Sequence, residues 1–184
     1  MPTVWPPPRS SWPRSRAPSP AEHRRRLMGD TGPSVLVRAV TVEVVRPVRH
    51  RVLREGWPEA SVHTPLDDSP STWHLAALAG ERAVGVVTLF PDTYEPHPGQ
   101  RSERFRWMAV LPEWQGRGVG RMLMRRAAEL ALDRGAELLW AHGRDSAQGF
   151  YEGLGFAVEG DGFIDPETGI GHHVVVIAAR ALLD

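Results

Sequence analysis

The chain has 184 residues, about the length of one domain, and 22 arginines balance its 22 acidic residues. It contains no lysine and no cysteine. The missing lysine excludes Schiff-base, pyridoxal-phosphate and Walker-type phosphate chemistry, and the missing cysteine excludes thiolate nucleophiles, disulfides and thiolate zinc sites. Residues 1–28 hold six arginines and one acid, a net charge of +5, so the remainder carries −5. An acidic body is unlike a nucleic-acid-binding domain, which usually shows a basic face.

Residues 1–33 contain eight of the 17 prolines and almost no aliphatic side chains, so we expect a disordered tail before a folded domain over residues 34–184. The arginines of this tail suit an RNA or protein partner, or have no function. No apolar run approaches the roughly 20 residues that cross a bilayer, and the N-terminus lacks the apolar segment of a secretory signal. We therefore expect a cytoplasmic protein that does not associate with membranes.

The first predicted strand is Val35–Val40, which is rich in β-branched residues, and Thr41 then offers a hydroxyl that can cap a helix. Val42–Leu53 has helical spacing but contains Pro47, which predicts two short helical pieces or a kink. The Pro, Asp and Ser content of Gly56–Ser71 predicts a long loop.

A β-hairpin follows, with strands at Trp73–Ala79 and Ala83–Phe90 around a short turn. The loop Pro91–Gln100 leads to a further strand at Arg104–Leu111. These three strands are adjacent in sequence and joined by loops rather than helices, which indicates antiparallel pairing.

Apolar residues then recur at three- and four-residue intervals from Val119 to Ala131, which predicts a helix ending at Gly135. Asp145 with Gln148 three residues later resembles a capping box for a second helix. The remaining predicted elements are a strand at Leu138–Ala141, the second helix up to Gly155, and closing strands at Phe156–Val158 and His173–Ala178. This order predicts an α+β fold with helices packed on one mixed sheet.

The segment Gln115–Gly120 follows a predicted strand and opens a predicted helix. The first N–H groups of a helix lack intrahelical partners and the helix dipole places partial positive charge there, so a diphosphate is a natural ligand. Glycines let the backbone approach phosphates closely, although glycine before a helix also occurs in a simple tight turn. A Walker loop is excluded by the missing lysine, and a Rossmann turn would follow the first strand.

Met108–Gly120 resembles the acetyl-coenzyme A motif of the GNAT superfamily of N-acetyltransferases, whose loop reads Gln/Arg-x-x-Gly-x-Gly/Ala. Ala147–Phe156 is similar to the second family signature, Ala-x-x-Phe-Tyr-x-x-x-Gly-Phe. The resemblance extends over about residues 35–179, and the stretches Leu53–Trp57 and Gly169–His172 also resemble members whose substrate is unassigned. It implies a mostly antiparallel sheet with helices on both faces, splayed between its fourth and fifth strands.

The resemblance also implies a reaction: transfer of an acetyl group from acetyl-coenzyme A to a primary amine, directly and without a metal. Tyr151 matches the family tyrosine that protonates the leaving thiolate, and a backbone N–H near Val110 would stabilise the charge on the carbonyl oxygen. Arg144 stands where many members have asparagine, so it contacts the cofactor or is simply solvated. The residues implied to bind acetyl-coenzyme A are Met108, Ala109, Val110, Gln115, Gly116, Arg117, Gly118, Val119, Gly120, Arg121 and Arg144.

The general base stays open among His142, His172, His74, Glu113 and ordered water, because an imidazole with an ordinary pKa near 6.5 can accept the proton of an ammonium group directly or through water. We expect no metal at the adjacent His172 and His173, since neighbouring residues on a strand face opposite sides.

The acceptor, a small-molecule or peptide amine, is expected to bind between the first helix and the loops Gly56–Ser71 and Pro91–Gln100. The acids of these loops would suit a cationic amine, or are merely typical of loops: Asp67, Asp68, Asp92 and Glu95. The alternative function is a noncatalytic acyl-coenzyme A-binding or regulatory module with an arginine-rich arm for RNA or a protein partner. A homodimer is an open alternative to a monomer.

Overall fold

The computed structural model describes residues 34–184, so the tail predicted over residues 1–33 lies outside the described residues. Within residues 34–184, seven strands form one sheet in the order β1-β2-β3-β4-β5-β7-β6. Their bounds are β1 (Val35–Val40), β2 (Trp73–Ala79), β3 (Arg82–Pro91), β4 (Ser102–Val110), β5 (Leu138–Arg144), β6 (Ala157–Ile164) and β7 (Gly171–Ala178). Every neighbouring pair is antiparallel except β4 and β5, which confirms the predicted mixed, mostly antiparallel sheet.

Three α-helices accompany the sheet in residues 34–184: α1 (Val42–Leu53), α2 (Val119–Asp133) and α3 (Gln148–Glu152). Arg49 of α1 donates a hydrogen bond of 2.6 Å to Thr88 of β3. On the same strand, a Cβ added to Gly85 would lie 3.0 Å from Leu123 of α2. Because Gly85 and Thr88 are three residues apart, they face opposite sides of the strand. The helices therefore cover both faces of the sheet, as predicted.

The parallel pair β4–β5 is short, and the two strands then separate. Their register extends only from Ser102 with Leu138 to Arg104 with Trp140. Beyond this point β4 stays paired with β3, and β5 stays paired with β7 through Arg144. The predicted splay between the fourth and fifth strands is therefore present, and it leaves one edge of β4 without a strand partner.

Helix α1 runs as one helix from Val42 to Leu53 with Pro47 inside it, so of the two predicted forms the pair of short helical pieces is wrong. Proline removes one backbone donor from a helix, but the buried residues of α1, Val45, Val48 and Arg49, hold the segment against the sheet and outweigh that loss. Thr41 is the N-cap residue as predicted, yet its hydroxyl makes no capping bond. The neighbouring Thr41 side chain and backbone hydrogen bonding at Glu43 lower the pKa of Glu43.

The predicted capping box at α3 is also wrong. The carboxylate of Asp145 lies 3.0 Å from Nδ1 of His173, and the amide of Gln148 donates to Glu152 at 2.8 Å. A 3-10 turn, Asp145–Ala147, enters the helix without a side-chain cap. Asp145 therefore contacts His173 on β7 instead of capping the helix, and sequence spacing does not predict this distant contact.

A buried polar network fixes the loop after α1, which contains two 3-10 turns, Glu59–Val62 and Pro65–Asp68, where the sequence predicts a plain loop. Arg49 donates to the carboxylate of Asp67 at 2.9 Å, and Nδ1 of His74 lies 2.9 Å from the Thr88 hydroxyl. An ion pair this deeply buried is tolerated when hydrogen bonds satisfy its remaining polar atoms. The network ties the end of this loop to α1 and so orients the C-terminal end of the helix.

Candidate active site

A cavity of about 850 Å³ opens where β4 and β5 separate. Its walls come from the exposed edge of β4, the start of α2, the end of β5, α3, the end of α1 and the turn between β6 and β7. Tyr151 and the residues predicted to bind acetyl-coenzyme A all line this cavity except Arg117. The guanidinium of Arg117 instead lies 5.5 Å from the centre of the Trp114 ring.

The glycine loop before α2 has the backbone geometry that a phosphate ligand needs. Gly116 and Gly118 have φ angles of 70° and 79°, and a Cβ added to either would meet no atom within 4 Å. The first N–H groups of α2, from Val119 to Arg121, have no intrahelical acceptor, and Gly118 gives no side-chain cap. An open concave backbone with unpaired donors at a helix N-terminus fits the diphosphate of an acyl-coenzyme A.

Gly120 is required for a different reason, which is the close approach of two other elements. A Cβ at this position would lie 2.8 Å from the ring of Phe150 and 3.3 Å from the terminal methyl of Met108. The missing side chain lets α3 pack directly against the first turn of α2. The two sequence motifs therefore meet in space at this glycine.

The free edge of β4 presents backbone groups to the cavity. Leu111 donates its N–H to Val84 on β3, at 2.9 Å. Since successive N–H groups of a strand alternate in direction, the N–H and C=O of Val110 face away from β3 and into the splay. The Val110 carbonyl accepts a 3.0 Å hydrogen bond from the Gln115 side chain. The Val110 N–H remains directed at the cavity, where an extended ligand can pair with it as an added strand.

Trp107 gives β4 a bulge that the sequence analysis missed. Its φ is 57°, and Trp107 with Met108 lies opposite the single residue Val87 of β3. A tryptophan in the left-handed region is unusual and costs free energy, so tertiary contacts hold it there. The guanidinium groups of Arg49, Arg54 and Arg106 lie 5.3, 5.4 and 5.7 Å from rings of this one side chain. The bulge re-aims β4 where the cavity begins.

Tyr151 is buried, with 5 % of its surface exposed, and packs against the rings of Phe105, Phe150 and Phe156. A Cβ added to Gly143 would lie 3.0 Å from the tyrosine ring, so this glycine makes room for it. Burial raises the pKa of Tyr151 well above that of free tyrosine, and nearby Arg144 lowers it only in part. The hydroxyl therefore stays protonated at neutral pH, which is the form a general acid needs.

Two of the three arginines predicted at the cofactor, Arg121 and Arg144, are each held by a backbone carbonyl. Arg121 donates to Gly153 at 3.2 Å, and Arg144 donates to Leu53 at the end of α1 at 3.0 Å. Desolvation and the nearby Arg54 lower the pKa of Arg144. Both side chains line the cavity, and their contact with a cofactor stays a prediction.

The candidates for the general base separate into two groups. His142 and His172 line the cavity, whereas His74 belongs to the buried Arg49 network, and Glu113 bridges the arginines at positions 51 and 82 on the surface. Neither His74 nor Glu113 therefore faces the splay. His142 accepts a 2.8 Å hydrogen bond at Nδ1 from Arg104.

Partial desolvation, followed by the positive charges of Arg104 and His172, lowers the pKa of His142 to about 4. We expect the imidazole to stay neutral through the neutral range and to protonate only as the pH falls toward 4. The Arg104→Gln substitution removes one cation and should raise this pKa, while the surface substitution Arg82→Gln should not. NMR of the imidazole carbon-bound protons measures both shifts, and a midpoint near 6.5 in the unsubstituted protein would contradict this assignment.

The acceptor side of the cavity differs from its prediction. Neither the loop Gly56–Ser71 nor the loop Pro91–Gln100 lines the cavity; the end of α1 and the turn at Asp165–Thr168 do. The acids expected there have other places: Asp67 pairs with buried Arg49, Asp92 accepts from Arg104, and Asp68 and Glu95 do not line the cavity. The β6–β7 turn reaches the cavity only because β7 inserts between β5 and β6, an order that local sequence patterns do not encode.

In the part of the chain that the structure describes, no helix is long and apolar enough to cross a membrane. The same residues contain no group of three or more His, Asp or Glu side chains that could hold a metal ion.

The chain is similar in sequence to a known protein family and to a bacterial relative. The family model described as an acetyltransferase (GNAT) domain matches residues 70–158. The uncharacterized N-acetyltransferase YitI of Bacillus subtilis is 25 % identical over 140 residues, covering 76 % of this chain and 93 % of that protein.

Two solved structures share the fold. An acyl-CoA N-acyltransferase from Pseudomonas aeruginosa has a TM-score of 0.63 and 19 % identity, covering 79 % of this chain and 100 % of that chain. An aminoglycoside 6'-N-acetyltransferase complexed with coenzyme A has a TM-score of 0.62 and 11 % identity, and the match covers 78 % of this chain and 97 % of that chain. Together with the family model matched over residues 70–158, these similarities support a GNAT superfamily N-acetyltransferase, an acyltransferase that uses an acyl-coenzyme A cosubstrate.

Proposed function

We propose that the protein transfers an acetyl group from acetyl-coenzyme A to a primary amine, directly and within a ternary complex. The observation that carries this proposal is one cavity that brings together the glycine loop, the unpaired edge of β4 and the protonated hydroxyl of Tyr151. When bound, acetyl-coenzyme A supplies the acetyl group and a thiol leaving group. The residues of the chain then have three tasks: binding, stabilising charge and moving protons.

Binding is assigned to the glycine loop and the strand edge. The N–H groups at the start of α2 would hold the diphosphate, with Arg117 and Arg121 close enough along the chain to neutralise phosphate charge. The Met108–Val110 edge would pair with the amide groups of the pantetheine arm. Gln115 supports this edge, because its hydrogen bond to the Val110 carbonyl links the loop to the strand.

The Val110 N–H is the donor best directed to stabilise negative charge on the thioester oxygen. It points into the splay, and the bulge at Trp107 sets the direction of the strand just before it. A fixed backbone donor in a partly dry cavity stabilises such charge strongly, because it needs no reorientation during the reaction.

Tyr151 would donate its hydroxyl proton to the departing thiolate. A thiol of pKa about 8.5 is a better leaving group when protonated as it departs, and a phenol whose pKa is raised by burial remains protonated until then. Within residues 34–184 the Tyr151 hydroxyl forms no hydrogen bond to another side chain or backbone group, so it is free to turn toward the cavity.

The attacking amine must lose a proton, and two routes are compatible with the cavity. His142 is held neutral by desolvation and Arg104, so its imidazole is in the form that accepts a proton, directly or through water. His172 also lines the cavity, and its Nδ1 lies 2.9 Å from the Ile170 carbonyl. The absence of cysteine from the sequence leaves no thiol to carry an acetyl group, which favours direct attack by the amine.

The proposal is tested by supplying acetyl-coenzyme A with a panel of amines and peptides and measuring the release of coenzyme A thiol. We expect release above the background hydrolysis for at least one amine, together with an equal amount of acetylated amine. Tight acetyl-coenzyme A binding without turnover of any amine would contradict the proposal and favour the noncatalytic acyl-coenzyme A-binding alternative.

A further inference from the structure

Four of the arginine side chains that line the cavity come from elements other than α2: Arg54, Arg104, Arg106 and Arg144. Tyr151 packs against Gly143, whereas Arg144 is the next residue on β5 and so faces the opposite side of the sheet. Arg104 likewise contacts His142, two residues before Arg144 and on the same face. This arginine group therefore faces the cavity from the side opposite the proposed acid.

Most of these charges have no carboxylate partner. Arg104 forms an ion pair with Asp92 at 3.3 Å, but Arg54, Arg106 and Arg144 form no ion pair within residues 34–184. Arg54 and Arg144 both donate to the same acceptor, the carbonyl of Leu53, at 3.2 and 3.0 Å. One neutral carbonyl shared by two guanidinium groups leaves most of their donors unused.

Arg54 carries the strongest sign of a missing partner. Only 9 % of its surface is exposed, and its buried Nε has no hydrogen-bond partner within residues 34–184. The guanidinium lies 5.4 Å from the Trp107 ring, which Arg106 also approaches at 5.7 Å. One rigid indole therefore holds both cations beside the cavity. Burying the Arg54 guanidinium without an ion-pair partner is costly, and an anionic ligand would offset that cost.

The charge of the cavity contrasts with the charge of the domain. Residues 34–184 contain 16 arginines and 20 acids, yet the cavity wall contains five arginines and only two acids, Asp165 and Glu167. Asp165 already accepts hydrogen bonds from the backbone and hydroxyl of Thr168, at 2.9 and 2.8 Å. The cavity wall therefore has a net positive charge, whereas the rest of residues 34–184 has a net negative charge.

We propose that the amine acceptor carries an oxyanion, and that Arg54 and Arg106 bind this group so that the amine faces the thioester. This inference rests on the proposed function. A carboxylate, as in an amino acid or an acidic peptide, and a phosphate both present the oxygen pair that a guanidinium binds with two hydrogen bonds. An acceptor with positive charge beyond its reacting amine would instead meet like charges here.

The test compares amines that differ only in the oxyanion. L-Methionine is paired with L-methioninamide, and phosphoethanolamine is paired with ethanolamine to separate phosphate from carboxylate. The readout is kcat/KM for thiol release. We expect the anionic member of at least one pair to exceed its neutral partner by about tenfold or more, through a lower KM.

The Arg106→Gln substitution should reduce this ratio several-fold, and Arg106→Lys should restore part of it because the charge returns without the paired donors. Arg38→Gln, at an exposed position on β1, is the matched control and should leave the ratio unchanged. Thermal unfolding of each variant checks that the fold is retained.

Three results would overturn the inference. The first is that neutral amines react as well as their anionic partners. The second is that Arg106→Gln leaves the ratio of kcat/KM between anionic and neutral amines unchanged. The third is that Arg106→Gln raises the KM for acetyl-coenzyme A rather than for the amine, which would assign the arginines to the cosubstrate. In each of these cases acetyl transfer itself still stands. If no amine of either charge releases coenzyme A, the proposed function fails instead.

Discussion

Replacing Tyr151 by phenylalanine is expected to lower kcat by about 100-fold or more while leaving the KM for acetyl-coenzyme A nearly unchanged, because the substitution removes the proton donor but keeps the packed ring. Phenylalanine retains the contacts with Phe105 and Phe156 and the space beside Gly143. Steady-state kinetics with a reactive amine, alongside thermal unfolding, measure the two effects separately.

Tyr94 gives a matched control, since it is the only other tyrosine in the chain. Its hydroxyl donates to Glu159 near Trp140, away from the cavity at the splay. Tyr94→Phe should therefore leave kcat unchanged. An unchanged kcat in Tyr151→Phe would remove this residue from the proposed chemistry.

The pH dependence of kcat provides a further check on Tyr151. Burial raises its pKa, so the proton is retained until the pH exceeds the value for free tyrosine, near 10. The contribution of Tyr151 to kcat should accordingly persist up to about pH 10 and be lost only above it. A loss of activity near pH 8 that disappears in Tyr151→Phe would contradict this assignment.

Replacing Gly118 by alanine is the second substitution with a large expected effect. At a φ of 79°, a Cβ costs about 1–2 kcal/mol, and a methyl group here occupies open cavity space beside the unpaired N–H groups of α2. We expect the affinity for acetyl-coenzyme A to fall about tenfold or more, measured by calorimetric titration.

Gly80→Ala controls for the backbone strain alone. Gly80 has a φ of 63° and open space around its Cβ position, but it lies in the β2–β3 turn and does not line the cavity. Both substitutions should lower the unfolding temperature, and only Gly118→Ala should weaken binding. Equal acetyl-coenzyme A affinity in the two variants would show that the loop does not hold the diphosphate.

The features that sequence predicts well are local or carried by contiguous motifs. The predicted glycine loop leads directly into α2, with Gly116 and Gly118 at positive φ, and the apolar stripe beginning at Val119 is buried on that helix. The hairpin of β2 and β3 is likewise predicted nearly to the residue. In each case, the physical cause lies within a few residues of the pattern that reveals it.

The features that sequence misses depend on partners far along the chain. Asp145 binds His173 on β7 rather than capping α3, and α1 continues through Pro47 because its buried face is held by the sheet. The arginine cluster is the most consequential omission. Arg54, Arg106 and Arg144 come from three separate elements, so neither spacing nor composition brings them together. Trp107 also gave no signal, since a left-handed φ is rare for tryptophan and is imposed by its surroundings.

The most direct test of the account is a single turnover with isotopically labelled acetyl-coenzyme A and a competent amine, followed by mass spectrometry of both the amine and the intact protein. We predict one labelled acetyl group on the amine for each coenzyme A released, with no acetyl group on the protein during that turnover, because the chain offers neither cysteine nor lysine to carry it. Label that first accumulates on the protein and then passes to the amine, or coenzyme A released without acetylated amine, would contradict direct transfer in this cavity.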